Sequence, residues 1–99
     1  MSFVTALPAM LASAAGELQS IGSAMAAGNT AAAAPTTGVV PAAADEVSAL
    51  TAARFALHAQ MYKAVSAQAA AIHQMFATTL GTSAGSYAAT EAANAIATS

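Results

Sequence analysis

The chain contains no cysteine and no tryptophan, and only 6% of its 99 residues are charged. Without cysteine it can form no disulfide framework, thiol nucleophile or thiolate zinc site. Its two cations, Arg54 and Lys63, are outnumbered by four carboxylates, which gives a net charge of −2. Because a nucleic-acid binder needs a basic surface to neutralise phosphates, this composition argues against nucleic acid as a partner.

Two kinds of apolar segment are also missing. Residues 1–5, Met-Ser-Phe-Val-Thr, do not place a basic region before an apolar core, so we predict no Sec signal peptide. Polar residues or glycines interrupt each apolar run before it reaches the roughly 18 residues of a membrane-spanning helix. We therefore expect a chain that is cytoplasmic when made and that uses another route if it is exported.

The high hydrophobic content is mostly alanine, which supplies 33 of the residues. Alanine favours helices but has little side chain to bury. We predict an all-α single domain over residues 1–99. Its parts are helix 1 at about 8–30, a connection at about 31–43, helix 2 at about 44–80 and a C-terminal tail at 81–99. Pro8 suits a first helical turn, Asp45 can cap helix 2, and Gly81 suits a position just past its end.

Helix 2 carries a broad arc of large apolar side chains. With about 100° per residue, this arc covers roughly 160°, wider than the roughly 100° stripe that faces a single core. A second helix in the same chain would cover about half of it, and exposed apolar patches of that size mark interaction sites. We therefore predict an antiparallel two-helix hairpin that completes a four-helix bundle with a partner.

The predicted partner or hairpin interface draws on both helices. Gly16 and Gly22 weaken helix 1, which would be explained by close packing of helix 2 against them. The interface residues are Leu11, Leu18, Ile21, Met25, Phe55, Leu57, Met61, Tyr62, Val65, Ile72, Met75 and Phe76.

Catalytic and metal-binding patterns are not apparent. His58 and His73 are too far apart for the i, i+3 or i, i+4 spacing of helical metal ligands. Of the four carboxylates only Asp45 and Glu46 are neighbours, and adjacent acids at a helix start are typical of caps. The chain has no nucleophile elbow and no glycine-rich phosphate loop. We predict no enzyme activity, no cofactor and no metal site. Arg54 lies at the centre of the apolar arc. Its guanidinium either extends to water from the edge of the contact between the helices or forms an ion pair that specifies the partner.

Two other functions fit an amphipathic helical chain. A self-associating protein would pair its own apolar arcs and stay soluble when expressed alone. A lipid-surface binder would place cations on its polar face, where this chain offers Lys63 alone.

Three segments resemble the PE family of mycobacteria. Residues 1–8 are similar to its N-terminal signature, and residues 35–48, PTTGVVPAAADEVS, are similar to its inter-helix connection. Residues 86–91, SYAATE, resemble its Tyr-x-x-x-Asp/Glu export motif. The resemblance spans the chain and indicates a short member with the PE domain only. The chain departs from the family where Ala9 follows Pro8, because the family is named for Pro-Glu there.

The resemblance implies a non-enzymatic subunit that forms a heterodimer with a PPE-family protein. The pair would be a substrate of a type VII secretion machinery, with a cytosolic chaperone bound to the PPE subunit before export. Tyr87 and Glu91 would form this chain's half of the export signal, and the partner would supply a Trp-x-Gly turn. The expected destination is the cell surface or the medium, with a cell-surface or host-interaction role, and membrane association after export is open.

Overall fold

The computed structural model describes residues 5–99, which form two helices and no strand. Helix α1 spans Pro8–Thr37 and helix α2 spans Glu46–Ala97. The all-α prediction is therefore confirmed. The first part of the N-terminal signature, residues 1–4, lies outside the described residues.

Helix α1 ends later than predicted. It continues past Thr30 and includes Pro35, which was expected to belong to the connection. Proline lacks the N–H that would bond to the carbonyl four residues earlier, but this loss falls in the last turn. There the hydroxyl of Thr37 donates to the Ala33 carbonyl at 2.7 Å, and the N–H of Gly38 donates to the Ala34 carbonyl at 3.0 Å. The connection is therefore shorter than predicted.

Asp45 caps the start of α2, as the sequence predicts. Its Oδ1 accepts the Ser48 N–H at 2.8 Å, and its Oδ2 accepts the Ser48 hydroxyl at 3.0 Å. Glu46 follows in the first turn, where the helix dipole favours negative charge. The bonds from the Ser48 backbone and hydroxyl lower the pKa of the Asp45 carboxyl below its ordinary value of 3.8.

This cap predicts a pH-dependent contribution to stability. Because the folded-state pKa of Asp45 is lowered, the contribution is present above about 3.8 and is lost as the pH falls through the lowered value. We expect Asp45→Ala to lower the melting temperature at neutral pH and to flatten its decline in acid, as measured by circular dichroism. Asp45→Asn keeps an acceptor for Ser48 but cannot titrate. An unchanged acid profile in both variants would contradict the assignment.

The predicted end of α2 at Leu80 is wrong. The helix passes through Gly81 and Gly85 and ends at Ala97, and no described glycine has a positive φ. A Cβ on Gly81 would lie 3.9 Å from the Cβ of Ala15, so here the glycine faces α1 within the helix. Residues 81–97, predicted as a tail, are mostly a continuation of α2.

The described chain divides into two compact units. The first combines the described residues up to Gly22 with Ile72–Ser99, and the second is Ser23–Ala71. In each unit a segment of α1 packs against a segment of α2. The second unit contains the connection, so it is a helical hairpin.

Small side chains form the contact between the helices in both units. In the second unit the buried residue is Ala52, and in the first unit the buried residues are Ala15, Ala77 and Ala84. No large side chain of residues 5–99 is fully buried. Because each buried alanine removes little apolar area from water, this packing stabilises the chain weakly.

The expectation that the hairpin covers about half of the apolar arc of α2 is therefore wrong. Leu50, Leu57 and Met61 in the second unit are each at least 60% exposed, and so is Ile72 in the first. The helices associate through their small side chains and leave the large ones in solvent.

Candidate partner-binding surface

The second unit carries a strip of exposed apolar side chains on α2, here called the α2 strip. Leu57, near its middle, and Met61, in its C-terminal half, are each 60% exposed, and Val65 at its end is 64% exposed. Arg54 and His58 are interspersed in it and are also exposed. The apolar members of the α2 strip are Val47, Leu50, Leu57, Met61 and Val65.

Helical spacing explains why the α2 strip is free of α1. Met61 follows the buried Ala52 by two and a half turns, which places the two side chains about 180° apart around the helix. Ala59, half-buried, shares the side of Ala52 because it is seven residues away. Helix α2 of the second unit therefore has a small-residue side against α1 and a large apolar side in solvent.

The first unit exposes apolar side chains of its own. On α2, Ile72, Met75 and Phe76 are exposed, and on α1 Met10 and Ile21 are exposed. Leu11 and Leu18 of the predicted interface are half-buried, so part of their surface belongs to the packing within this unit. The exposed residues except Met10, which was not part of the predicted interface, remain predicted partner contacts.

Three further residues of the predicted interface lie in the second unit. Tyr62 donates its hydroxyl to Oδ1 of Asn29 at 2.8 Å, which joins α2 to α1. Phe55 lines a groove of about 220 Å³ with Val39 and Val40 of the connection. Met25 of α1 is 60% exposed. Tyr62 thus has an intrachain bond, whereas Met25 is available to a partner.

His73 fits into a notch above Gly22 in the first unit. The His73 Nε2 lies 2.6 Å from the carbonyl oxygen of Leu18, and because a carbonyl only accepts, this nitrogen carries the donated proton. A Cβ on Gly22 would lie 2.8 Å from Cδ2 of His73. The close packing expected at Gly22 is confirmed, whereas a Cβ on Gly16 would meet nothing within 4 Å.

The two glycines predict opposite effects of substitution. Gly16→Ala gains helix propensity without a clash, so we expect stabilisation by about 0.5–1 kcal/mol. Gly22→Ala gains the same propensity but displaces the His73 ring and breaks its bond to Leu18, so we expect net destabilisation by about 1–2 kcal/mol. Urea unfolding of the co-purified complex of each variant, followed by circular dichroism and compared with the unaltered complex, measures both. Equal stabilisation by the two variants would contradict the close packing of His73 against Gly22.

Tyr87 and Glu91 lie four residues apart on α2 and therefore share one side of the helix. Both are exposed, Tyr87 at 52%. The predicted export residues are thus presented together on a regular helix in the first unit.

The described residues offer little else that points to chemistry. From residue 5 to the C-terminus, no three His, Asp or Glu side chains come together as a metal site. In the same range, no buried polar side-chain atom lacks a hydrogen-bond partner. Neither helix has a stretch long and apolar enough to cross a bilayer. The exposed apolar surfaces are the most distinctive features of this part of the chain.

Comparison with known proteins identifies relatives of the whole chain. Residues 4–94 match the sequence profile described as PE family. The chain is 71% identical over 99 residues to "PE family protein PE13" of Mycobacterium tuberculosis, and the match covers both chains completely. It is 56% identical over 94 residues to PE8 of the same species, covering 95% of this chain and 34% of PE8. It is 55% identical over 92 residues to "PE cleavage protein A", covering 93% of this chain and 16% of that protein.

Proposed function

Because the chain belongs to the PE family, we propose that it is the non-enzymatic half of a secreted heterodimer with a PPE-family protein. Two helices of the partner would pack on the exposed apolar side chains and complete a four-helix bundle. The complex would be exported by a type VII system, with a cytosolic chaperone on the PPE subunit, to the cell surface or the medium.

The α2 strip is the observation that carries this proposal. The fully buried side chains of residues 5–99 are alanines, whereas Leu57, Met61 and Val65 are each at least 60% exposed. A soluble protein rarely leaves such a contiguous apolar surface in water. A partner that covers the α2 strip would contribute the large-residue core that the chain does not build for itself.

The charge distribution favours a protein partner over a lipid surface. Helices that bind anionic lipid combine an apolar side with several lysines or arginines. This chain has Arg54 and Lys63 alone, with a net charge of −2. The attraction to an anionic membrane would therefore be small, and the apolar side chains would supply nearly all of the binding energy.

Co-expression tests the proposal. The chain would be produced alone and together with a PPE-family protein encoded beside it, and each product would be analysed by size-exclusion chromatography with light scattering. We expect aggregation of the chain alone and a discrete 1:1 complex on co-expression. A stable homo-oligomer of the chain alone, unchanged by the PPE protein, would contradict the heterodimer. Gain of helicity with anionic vesicles and no complex would favour a lipid-surface role.

A further inference from the structure

Arg54 occupies an unusual place, because it is a cation within the α2 strip. It lines a shallow cleft of about 480 Å³ whose other lining residues are Thr51, Phe55, Leu57, His58 and Met61. Leu50 and Leu57 lie four residues before it and three residues after it, so both flank Arg54 on the same side of the helix. A protein that covers Leu57 and Met61 will also cover at least part of the guanidinium.

The helix gives Arg54 no anionic partner of its own. The residues one turn away on either side are Leu50, Thr51, Leu57 and His58, none of which is a carboxylate. The nearest carboxylates in sequence begin the helix, and Asp45 there is bonded to Ser48. Because a covered guanidinium without a hydrogen-bonding acceptor is strongly unfavourable, the covering surface must supply one.

We propose that the partner covers this cleft with an amphipathic helix whose apolar side carries one Asp or Glu, which pairs with Arg54. A carboxylate matches the guanidinium because its two oxygens accept two parallel N–H bonds. The pair fixes the register of the partner helix along the α2 strip, since a shift of one turn would leave both charges against apolar side chains. This inference rests on the heterodimer proposed above and adds the chemistry of its contact.

The sequence favours a different chain over a second copy as the source of that acid. Between Val47 and Phe76, α2 contains no Asp or Glu. Two copies that paired their α2 strips would therefore place Arg54 against apolar residues or against the arginine of the other copy. A partner with a carboxylate in its apolar side avoids both arrangements.

The test compares Arg54 with Lys63 in the complex with the co-expressed PPE protein. Lys63 is nine residues from Arg54 and so lies on the other side of α2, where it lines a groove with Ala59 and Ala67. We expect Arg54→Met, which keeps length but removes charge, to weaken binding by at least about 30-fold, because it leaves the acid unpaired. Lys63→Met is the matched control and should weaken binding by less than about threefold. Relative affinities would be measured by co-expressing each tagged variant with the unaltered chain and the PPE protein, and quantifying the share of each form in the purified complex.

Charge reversal identifies the acid. Arg54→Glu should abolish the complex, and exchanging one Asp or Glu of the PPE protein for Arg should restore it. Binding of Arg54→Met that equals that of the unaltered chain would overturn the proposal, because Arg54 would then reach water at the rim. The proposal would also be overturned if no exchange of an Asp or Glu of the PPE protein for Arg restored the complex of the Arg54→Glu variant. If the unaltered chain forms no complex and instead self-associates or binds vesicles, the proposal of a heterodimer is contradicted. That result differs from a complex that forms but does not depend on Arg54.

Discussion

We expect Met61→Asp to prevent formation of the heterodimer. Met61 is 60% exposed and lies in the C-terminal half of the α2 strip, on the side of α2 opposite the buried Ala52, so its replacement leaves the packing against α1 in place. In the complex, however, an aspartate there would be taken out of water among apolar side chains, and it would compete with the partner's carboxylate for Arg54, which lines the same cleft. We expect the affinity to fall by more than about 100-fold, or about 3 kcal/mol.

Gln60→Asp is the matched control for this variant. Gln60 is exposed and precedes Met61, so it points about 100° away around the helix and outside the α2 strip. The two variants have the same charge and nearly the same position along α2. Co-purification and size-exclusion chromatography should give the 1:1 complex for Gln60→Asp and separated or aggregated subunits for Met61→Asp. A soluble, fully assembled Met61→Asp complex would count against the α2 strip as the interface.

We expect Tyr87→Ala to leave the complex intact and to block its export. The ring is about half exposed, and residues 85–91 are exposed although Ala84, three residues before Tyr87, is buried. Its removal therefore costs only part of the ring's packing. Alanine also has the higher helix propensity. A loss of secretion would therefore report the loss of a recognised side chain beside Glu91 and not a failure to fold.

The export assay would follow both subunits in the cell pellet and the culture filtrate. Ser86→Ala is the control, because Ser86 is exposed and adjacent but lies about 100° around the helix from Tyr87. We expect normal secretion of this control and retention of an assembled Tyr87→Ala complex in the cell. Normal secretion of Tyr87→Ala would remove Tyr87 from the signal, and dissociation of its complex would assign Tyr87 a role in assembly.

Sequence reasoning predicted the helices better than their ends. Proline and glycine usually interrupt helices, which is why Pro35 and Gly81 were expected to lie outside them. In the structure, Pro35 falls in the last turn of α1, where few backbone bonds remain to be lost. Gly81 stays helical and faces Ala15. For Gly81, packing against a second helix, which a local pattern does not reveal, accompanies the continued helix.

The sequence does contain a pattern that indicates which side of α2 packs against α1, but it is formed by small residues and not by large apolar ones. Ala52, Ala59 and Ser66 recur every seven residues, and His73 continues this spacing opposite Gly22. Such a repeat of small residues is compatible with close helix contact, since the distance between packed helices depends on the side chains between them. The large apolar side chains are exposed, as predicted for part of the arc, but more of them are exposed than expected. Their role as a partner surface stays a prediction.

Oxidation of the native methionines tests most directly whether a partner covers the large apolar side of α2. Met61 and Met75 are 60% and 67% exposed in the chain, and peroxide converts accessible methionine to the sulfoxide. Their oxidation rates in the co-purified complex would be measured by mass spectrometry against the same residues in the urea-unfolded chain. We predict strong protection of both methionines in the complex. Oxidation of both at close to the unfolded rate, in a complex that light scattering shows to be intact, would contradict the account.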